Sequence, residues 1–260
     1  MKRKRILVTN DDGVYSEGIR LLARELATFA EVVVVAPDRE QSATGHSLTL
    51  SRPLRMQKLE EGWFAVDGTP TDCVNLAVLW LLKETPPDLV VSGINFGTNI
   101  GDDVTYSGTV SATFEGTILG FPSIAFSQEI SEGFSFARSA EFAGRLVRLL
   151  LADPVPSDLL LNVNFPATPP RGVIFTRLGK RVYRQSVIEK EDPRGRKYYW
   201  IAGTPDWQED EGTDHEAVQR GFVSVTPLHL DLTDYRGLEA YAGLAAKVDG
   251  LLDEDAPRAR

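Results

Sequence analysis

Two adjacent acids, Asp11 and Asp12, follow directly on the apolar run Ile6-Leu7-Val8 and precede Gly13. Carboxylates held that close repel each other unless a cation lies between them or one keeps its proton. A hard divalent ion, Mg²⁺ or Mn²⁺, is the natural answer when all donors are oxygens. The competing reading is turn chemistry, in which one Asp caps a helix and Gly13 supplies a positive φ. Ser42 and Asn95 offer neutral oxygens that could join the same ion. Ser107-Gly108-Thr109 stands at an expected helix start, where free backbone amides and hydroxyls suit a phosphate without net positive charge. An ordinary Ser or Thr cap is the alternative there. Together, a cation and such amides would balance charge on a transferring phosphoryl group.

Other chemistries fail on named residues. No Gly-Lys-Ser/Thr triplet exists for a nucleotide P-loop, and the spacing Gly93–Gly101 does not fit a dinucleotide fingerprint. Gly133-Phe134-Ser135-Phe136-Ala137 lacks the last glycine of a nucleophile elbow. His46, His215 and His229 form no zinc spacing and read as packed or surface imidazoles. An aspartyl-phosphate route of the Asp-x-Asp-Gly type needs an acid where Asn10 stands. A receiver domain needs an Asp after the third strand and a Lys after the fifth, where Ser92-Gly93 and Ser127-Gln128 occur.

The elements that must position these residues follow from periodicity. Ile6 to Thr9 is a strand, Ile19, Leu22, Ala23, Leu26 and Phe29 recur at helical spacing, and Val32 to Ala36 is a second strand closed by Pro37. This βαβ unit takes a right-handed crossover. A polar loop over 37–51 precedes short strand pieces near Leu54 and Phe64. Thr69-Pro70-Thr71-Asp72 signals a helix start, and that helix is expected to run to about Lys83. Asp88 to Ser92 is a third buried strand, followed by a glycine-rich segment over 93–103. A helix from about Ser107 to Gly120, strands at 123–127 and 159–165, and a helix near 134–152 complete the core pattern. Val182 to Ile188 and Lys197 to Ala202 flank the turn Asp192-Pro193-Arg194-Gly195 and predict one long hairpin. A strand near 222–226 and a terminal helix over about 236–255 follow.

The reading is one α/β domain over 1–260: a Rossmann-like, mainly parallel sheet with helices on both faces, a protruding β-hairpin at about 180–203 and a C-terminal extension. Its core spans about 1–170 and 222–235. In such a sheet ligands bind beyond the carboxyl ends of the strands. The loops 10–13, 37–47 and 92–109 all fall there, and they hold the unusual residues.

With 260 residues, 42% of them hydrophobic, the chain can bury a sizeable core. A net charge of -9 argues against a nucleic-acid duplex or an anionic membrane as partner. Cys73, the single cysteine, reads as core filler and excludes an intrachain disulfide. The basic start, Met1 to Arg5, lacks the apolar stretch of a signal peptide, and no run reaches membrane-span length, so a cytoplasmic location is expected.

Asn10-Asp11-Asp12-Gly13, Ala36-Pro37-Asp38-Arg39 with Ser42, Gly68 to Cys73, Ser92-Gly93-Ile94-Asn95 and Tyr106 to Val110 resemble the SurE survival protein family. So do Asp192 to Gly195, Gly212-Thr213-Asp214 and Thr226-Pro227-Leu228, so the similarity covers about 1–235 in the same order. The resemblance implies a metal-dependent 5′-nucleotidase that also takes 3′-nucleotides and short polyphosphate in some members. It implies one divalent ion per subunit on Asp11, Asp12, Ser42 and Asn95, with Asn99, Ser107, Gly108 and Thr109 beside the phosphate. Asp11 or Asp12 would take the proton of the attacking water. It further implies a homodimer built by exchange of C-terminal segments, or a homotetramer extended through the hairpin. A nucleotide-binding sensor without turnover is the alternative from another class. Phe96 and Tyr106 could stack on a base, although core packing is the commoner fate of such rings.

Overall fold

The computed structural model describes residues 3–183, 187–201, 205–245 and 248–249. In chain order the first half contains β1 (Arg5–Thr9), α1 (Glu17–Ala27), β2 (Glu31–Pro37), β3 (Met56–Glu60), β4 (Trp63–Val66), α2 (Pro70–Leu76), β5 (Leu89–Phe96) and α3 (Gly108–Ile118). The second half contains β6 (Ser123–Gln128), α4 (Phe136–Leu150), β7 (Leu160–Phe165), β8 (Val173–Phe175), β9 (Arg181–Tyr183), β10 (Val187–Glu191), β11 (Lys197–Ile201), β12 (Pro205–Trp207), α5 (Asp214–Gln219), β13 (Val223–Pro227) and α6 (Tyr235–Tyr241).

One mixed sheet carries the order β3-β4-β2-β1-β5-β6-β7-β13-β8. The central strands β2, β1, β5, β6 and β7 run parallel, while β3 against β4 and β13 against β7 are antiparallel. Side chains alternate between two cores because successive Cβ atoms point to opposite faces. Ile6 and Val8 join Leu22 of α1 and Ala143 of α4 on one face. Leu7, Val33 and Val35 join Val74 and Cys73 of α2 and Ala112 of α3 on the other. This sandwiching explains why β1 and β2 read as continuous apolar runs.

Three expectations need correction. The third central strand does not stop at Ser92; β5 continues through Asn95 to Phe96 with a register shift against β6. Gly93 makes the continuation possible. Its φ is +129°, and a Cβ there would lie 2.3 Å from the Phe126 carbonyl oxygen, so only glycine lets the two backbones close. The strand piece near Leu54 begins instead at Met56. The helix expected to Lys83 keeps α-geometry only to Leu76 and widens into a π-turn over Ala77–Leu81. The long hairpin is present as expected: β9 with β12 and β10 with β11 are antiparallel ladders in one register, Tyr183 opposite Pro205 and Val187 opposite Ile201, with residues 184–186 and 202–204 between them outside the described residues.

Two compact units divide the chain, Met1–His229 and Leu230–Arg260. The first holds the whole sheet. The second holds α6, whose first turn is capped by Asp234 accepting the Gly237 N–H at 2.9 Å. Residues 246–247 and 250–255 of the expected terminal helix lie outside the described residues. Among the described residues, no helix is long and apolar enough to cross a membrane.

Candidate metal and phosphate site

The acid pair is placed by a tightly tied loop at the carboxyl end of β1. Asn10 is fully buried, and its Nδ2 donates to the Gly13 carbonyl at 3.1 Å and to Ser16 Oγ at 2.8 Å. Asn10 therefore braces the turn and presents no acid. Gly13, at φ +94°, turns the chain out of the strand. The Val14 N–H reaches the Pro37 carbonyl at 2.8 Å and the Gln41 N–H reaches the Asp11 carbonyl at 2.7 Å. The loop after β2, with Glu40 and Ser42, thereby runs beside Asp11. From β5, the Phe96 N–H donates to Asp12 Oδ2 at 3.0 Å.

The start of α3 closes the third side. Ser107 caps the helix, its Oγ accepting the Val110 N–H at 3.1 Å. A Cβ on Gly108 would stand 2.9 Å from Asp11 Cβ and 3.2 Å from Pro70 Cγ, so the helix start touches the carboxylate through a glycine. The Thr109 hydroxyl donates to Asp11 Oδ1. A helix N-terminus carries partial positive charge and unsatisfied N–H groups, and it favours an anion.

The electrostatics of the pair call for a cation. Asp11 is 5% exposed, and burial raises its carboxyl above the usual range while hydrogen bonds from the Thr109 side chain and backbone pull the other way. Asp12 is pushed up to about 6, first by burial and then by the charge of Asp11. The exposed Glu40 raises both. The donor set fits a hard divalent ion such as Mg²⁺ or Mn²⁺. Asp12 keeps Oδ1, and Asn95 donates through Nδ2 to the Gly97 carbonyl at 2.8 Å, which turns its neutral Oδ1 the other way.

The remaining candidates sit unequally. Ser42 is exposed and its Oγ donates to Glu40 Oε1 at 2.7 Å; its backbone neighbour, not its hydroxyl, is what touches Asp11. Asn99 is buried in a polar network. Its N–H donates to Asn164 Oδ1 at 2.8 Å, its carbonyl accepts from Asn162 and Asn164, and its Nδ2 meets Ser127 Oγ at 2.8 Å. Ser127 can donate or accept, so the Asn99 amide can turn either end outward.

Sequence reasoning missed Glu40, an acid in a loop without periodicity, and a tether behind α3. Buried Glu115 accepts from His46 at 2.7 Å and from Asn75 at 2.7 Å, joining the Ser42 loop to α2 and α3. These hydrogen bonds hold its carboxyl below the usual range. His215 stacks on Trp207 at 4.4 Å. Among the described residues, no cluster of three or more His, Cys, Asp or Glu side chains could hold a metal, so Asp11 and Asp12 would need neutral oxygens beside them. Phe96 and Tyr106 are not in the core: they are 58% and 59% exposed at the rim of this site.

Comparison with known proteins follows the same lines. The family model described as survival protein SurE matches residues 6–185. The protein named 5′-nucleotidase SurE of Geobacter metallireducens is 54% identical over 90% of this chain and 94% of its own length. That of Myxococcus xanthus is 52% identical over 96% and 95%. The crystal structure of the Sure protein from Aquifex aeolicus is 46% identical and superposes with a TM-score of 0.82, covering 93% of this chain and 99% of that one. The chain belongs to the SurE family.

Proposed function

We propose that this chain is a 5′-nucleotidase: it hydrolyses nucleoside 5′-monophosphates with one divalent ion, Mg²⁺ or Mn²⁺, held by Asp11, Asp12, Ser42 and Asn95. The observation that carries the reading is the approach of α3 to Asp11, with a Cβ on Gly108 only 2.9 Å from Asp11 Cβ. An acid pair that calls for a cation thus abuts a helix start that calls for an anion. A phosphate monoester meets both demands at once. The names of relatives 54% and 52% identical to this chain support the substrate class.

When bound, a divalent ion supplies positive charge that polarises a phosphoryl oxygen and makes an attacking water more acidic. The chain's own residues do the rest. The Gly108 N–H, which opens α3 ahead of the Thr109 and Val110 N–H groups that Asp11 and Ser107 already take, and the amide of Asn99 hold phosphate oxygens. Ser107 fixes the helix start, and Thr109 holds Asp11 through its hydroxyl. Asp12 Oδ1 is the better placed proton acceptor, because Asp11 takes both the Thr109 hydroxyl and the Thr109 N–H whereas Asp12 takes the Phe96 N–H on Oδ2. 3′-Nucleotides and short polyphosphate present the same terminal group and fall within the proposal. Its working form is a homodimer or homotetramer in the cytoplasm, with neither a nucleic-acid duplex nor a membrane as partner. The net charge of -9 supports that last point.

The test is phosphate release from AMP with added Mn²⁺. Activity should stop in EDTA, and Asp11→Asn should abolish it while the protein stays folded and melts cooperatively. Binding of AMP without phosphate release would make the chain a nucleotide sensor instead.

A further inference from the structure

Phe96 occupies an unusual place. It follows Asn95, its backbone N–H holds Asp12 at 3.0 Å, and its ring stands 58% exposed. The ring is also braced. Phe134 meets it edge-on with centroids 5.5 Å apart, and Phe136 meets Phe134 in turn at 5.2 Å and 90°. Phe136 is buried in the core, 4% exposed. A three-ring stair therefore climbs from the core to the acid pair and ends in an aromatic face turned to solvent. Edge-to-face stacking fixes a ring in orientation. An exposed Phe held in this way leaves apolar surface in water, a cost that a stacked ligand ring would relieve.

We propose that the Phe96 ring is the platform on which the base of the nucleotide stacks. This rests on the nucleotidase reading and adds to it the group that separates a nucleotide from any other phosphate monoester. The backbone of Phe96 is tied to Asp12, so its side chain projects from the edge of the phosphate site, where a sugar's length separates phosphate from base. Every base has a π-face, so stacking alone selects for the presence of a base more than for its identity. Tyr106, 59% exposed and next to Ser107, is the competing ring on the α3 side.

The experiment compares AMP with ribose 5-phosphate, the same phosphate and sugar without the base. Stacking on one aromatic ring predicts that Phe96→Ala lowers the ratio of kcat/KM for AMP over ribose 5-phosphate by about 5- to 100-fold. Phe96→Trp should keep or raise that ratio. A proportional loss on both substrates in Phe96→Ala would mean that the ring only supports Asp12, and it overturns the platform. A ratio that falls in Tyr106→Ala and not in Phe96→Ala overturns it in favour of the opposite rim. Calorimetric titration with the two compounds reads the same subsite without turnover. The wild type must bind AMP more tightly than ribose 5-phosphate, and Phe96→Ala must erase the difference. Equal wild-type affinities overturn the platform even where phosphate is released. A base-dependent affinity without phosphate release upholds it while the nucleotidase reading fails.

Discussion

Asp12→Asn should stabilise the metal-free protein while disabling it. Burial and the charge of Asp11 raise the Asp12 carboxyl from 3.8 to about 6. At about 1.4 kcal/mol per unit, ionised Asp12 costs the metal-free fold about 3 kcal/mol at neutral pH. Asparagine removes the charge and keeps an oxygen for the Phe96 N–H, losing about 1 kcal/mol because a neutral acceptor is weaker than a carboxylate. The expected net gain is about 1–3 kcal/mol, or roughly 3–10 °C in melting temperature for a domain of this size. The sign with pH follows from the raised folded pKa. The favourable contribution is complete below 3.8 and is lost as pH rises through about 6. The advantage of Asp12→Asn in EDTA should therefore grow over that window and level off above it. With saturating Mn²⁺ the gap narrows, since the wild type gains about 2.7 kcal/mol at a hundredfold excess over Kd and the variant gains less. The assay is a set of thermal melts across pH 4 to 7.5, with EDTA or Mn²⁺. An Asp12→Asn protein no more stable than wild type in EDTA at pH 7.5, or a gap independent of pH, would refute the reasoning.

Three further outcomes follow from the same geometry. Thr109→Val keeps the shape of the side chain and removes the hydroxyl that donates to Asp11; kcat/KM should fall about 10- to 100-fold, as for a lost bond to a charged group, and the metal-free protein should melt lower because buried Asp11 loses that donor. Gly108→Ala drives a Cβ to 2.9 Å from Asp11 Cβ and 3.2 Å from Pro70 Cγ; it should cost about 1–3 kcal/mol and shrink the Mn²⁺-induced rise in melting temperature. Glu115 titrates below 4.5 because His46 and then Asn75 hydrogen-bond its carboxylate, so its contribution is present above 4.5 and is lost as pH falls through its lower folded value. Acid unfolding of Glu115→Gln, followed by circular dichroism, should accordingly start from lower stability and descend less steeply below pH 4.5 than the wild type.

Local signals in the sequence reached far where one residue decides one geometry. Thr69, Pro70 and Asp72 predict the start of α2, and the structure has the full reciprocal cap: the Asp72 N–H meets Thr69 Oγ1 at 3.1 Å and the Thr69 N–H meets Asp72 Oδ2 at 2.9 Å. The apolar runs of β1 and β2 announce strands buried on both faces. What stayed hidden depends on distant partners. Gly93 looks like loop glycine until Phe126 of the next strand is set against it. The π-turn over Ala77–Leu81 keeps an apolar pattern that an α-helix would satisfy equally. Glu115 sits in a helix like any surface acid, yet its partner His46 is 69 residues away in sequence. Exposure is likewise a tertiary property: Phe96 and Tyr106 resemble core aromatics in the sequence and stand on the site rim in the fold.

The central claim is that the acid pair ending β1 shares a divalent cation. Anomalous diffraction at the manganese edge, from crystals grown with Mn²⁺ at neutral pH, tests it directly. The account predicts one anomalous peak per chain within coordination distance of Asp11 and Asp12, with Asn95 and Ser42 completing the protein's donors. A well-ordered map with no peak there at saturating Mn²⁺, or a peak elsewhere while AMP is still hydrolysed, would contradict it.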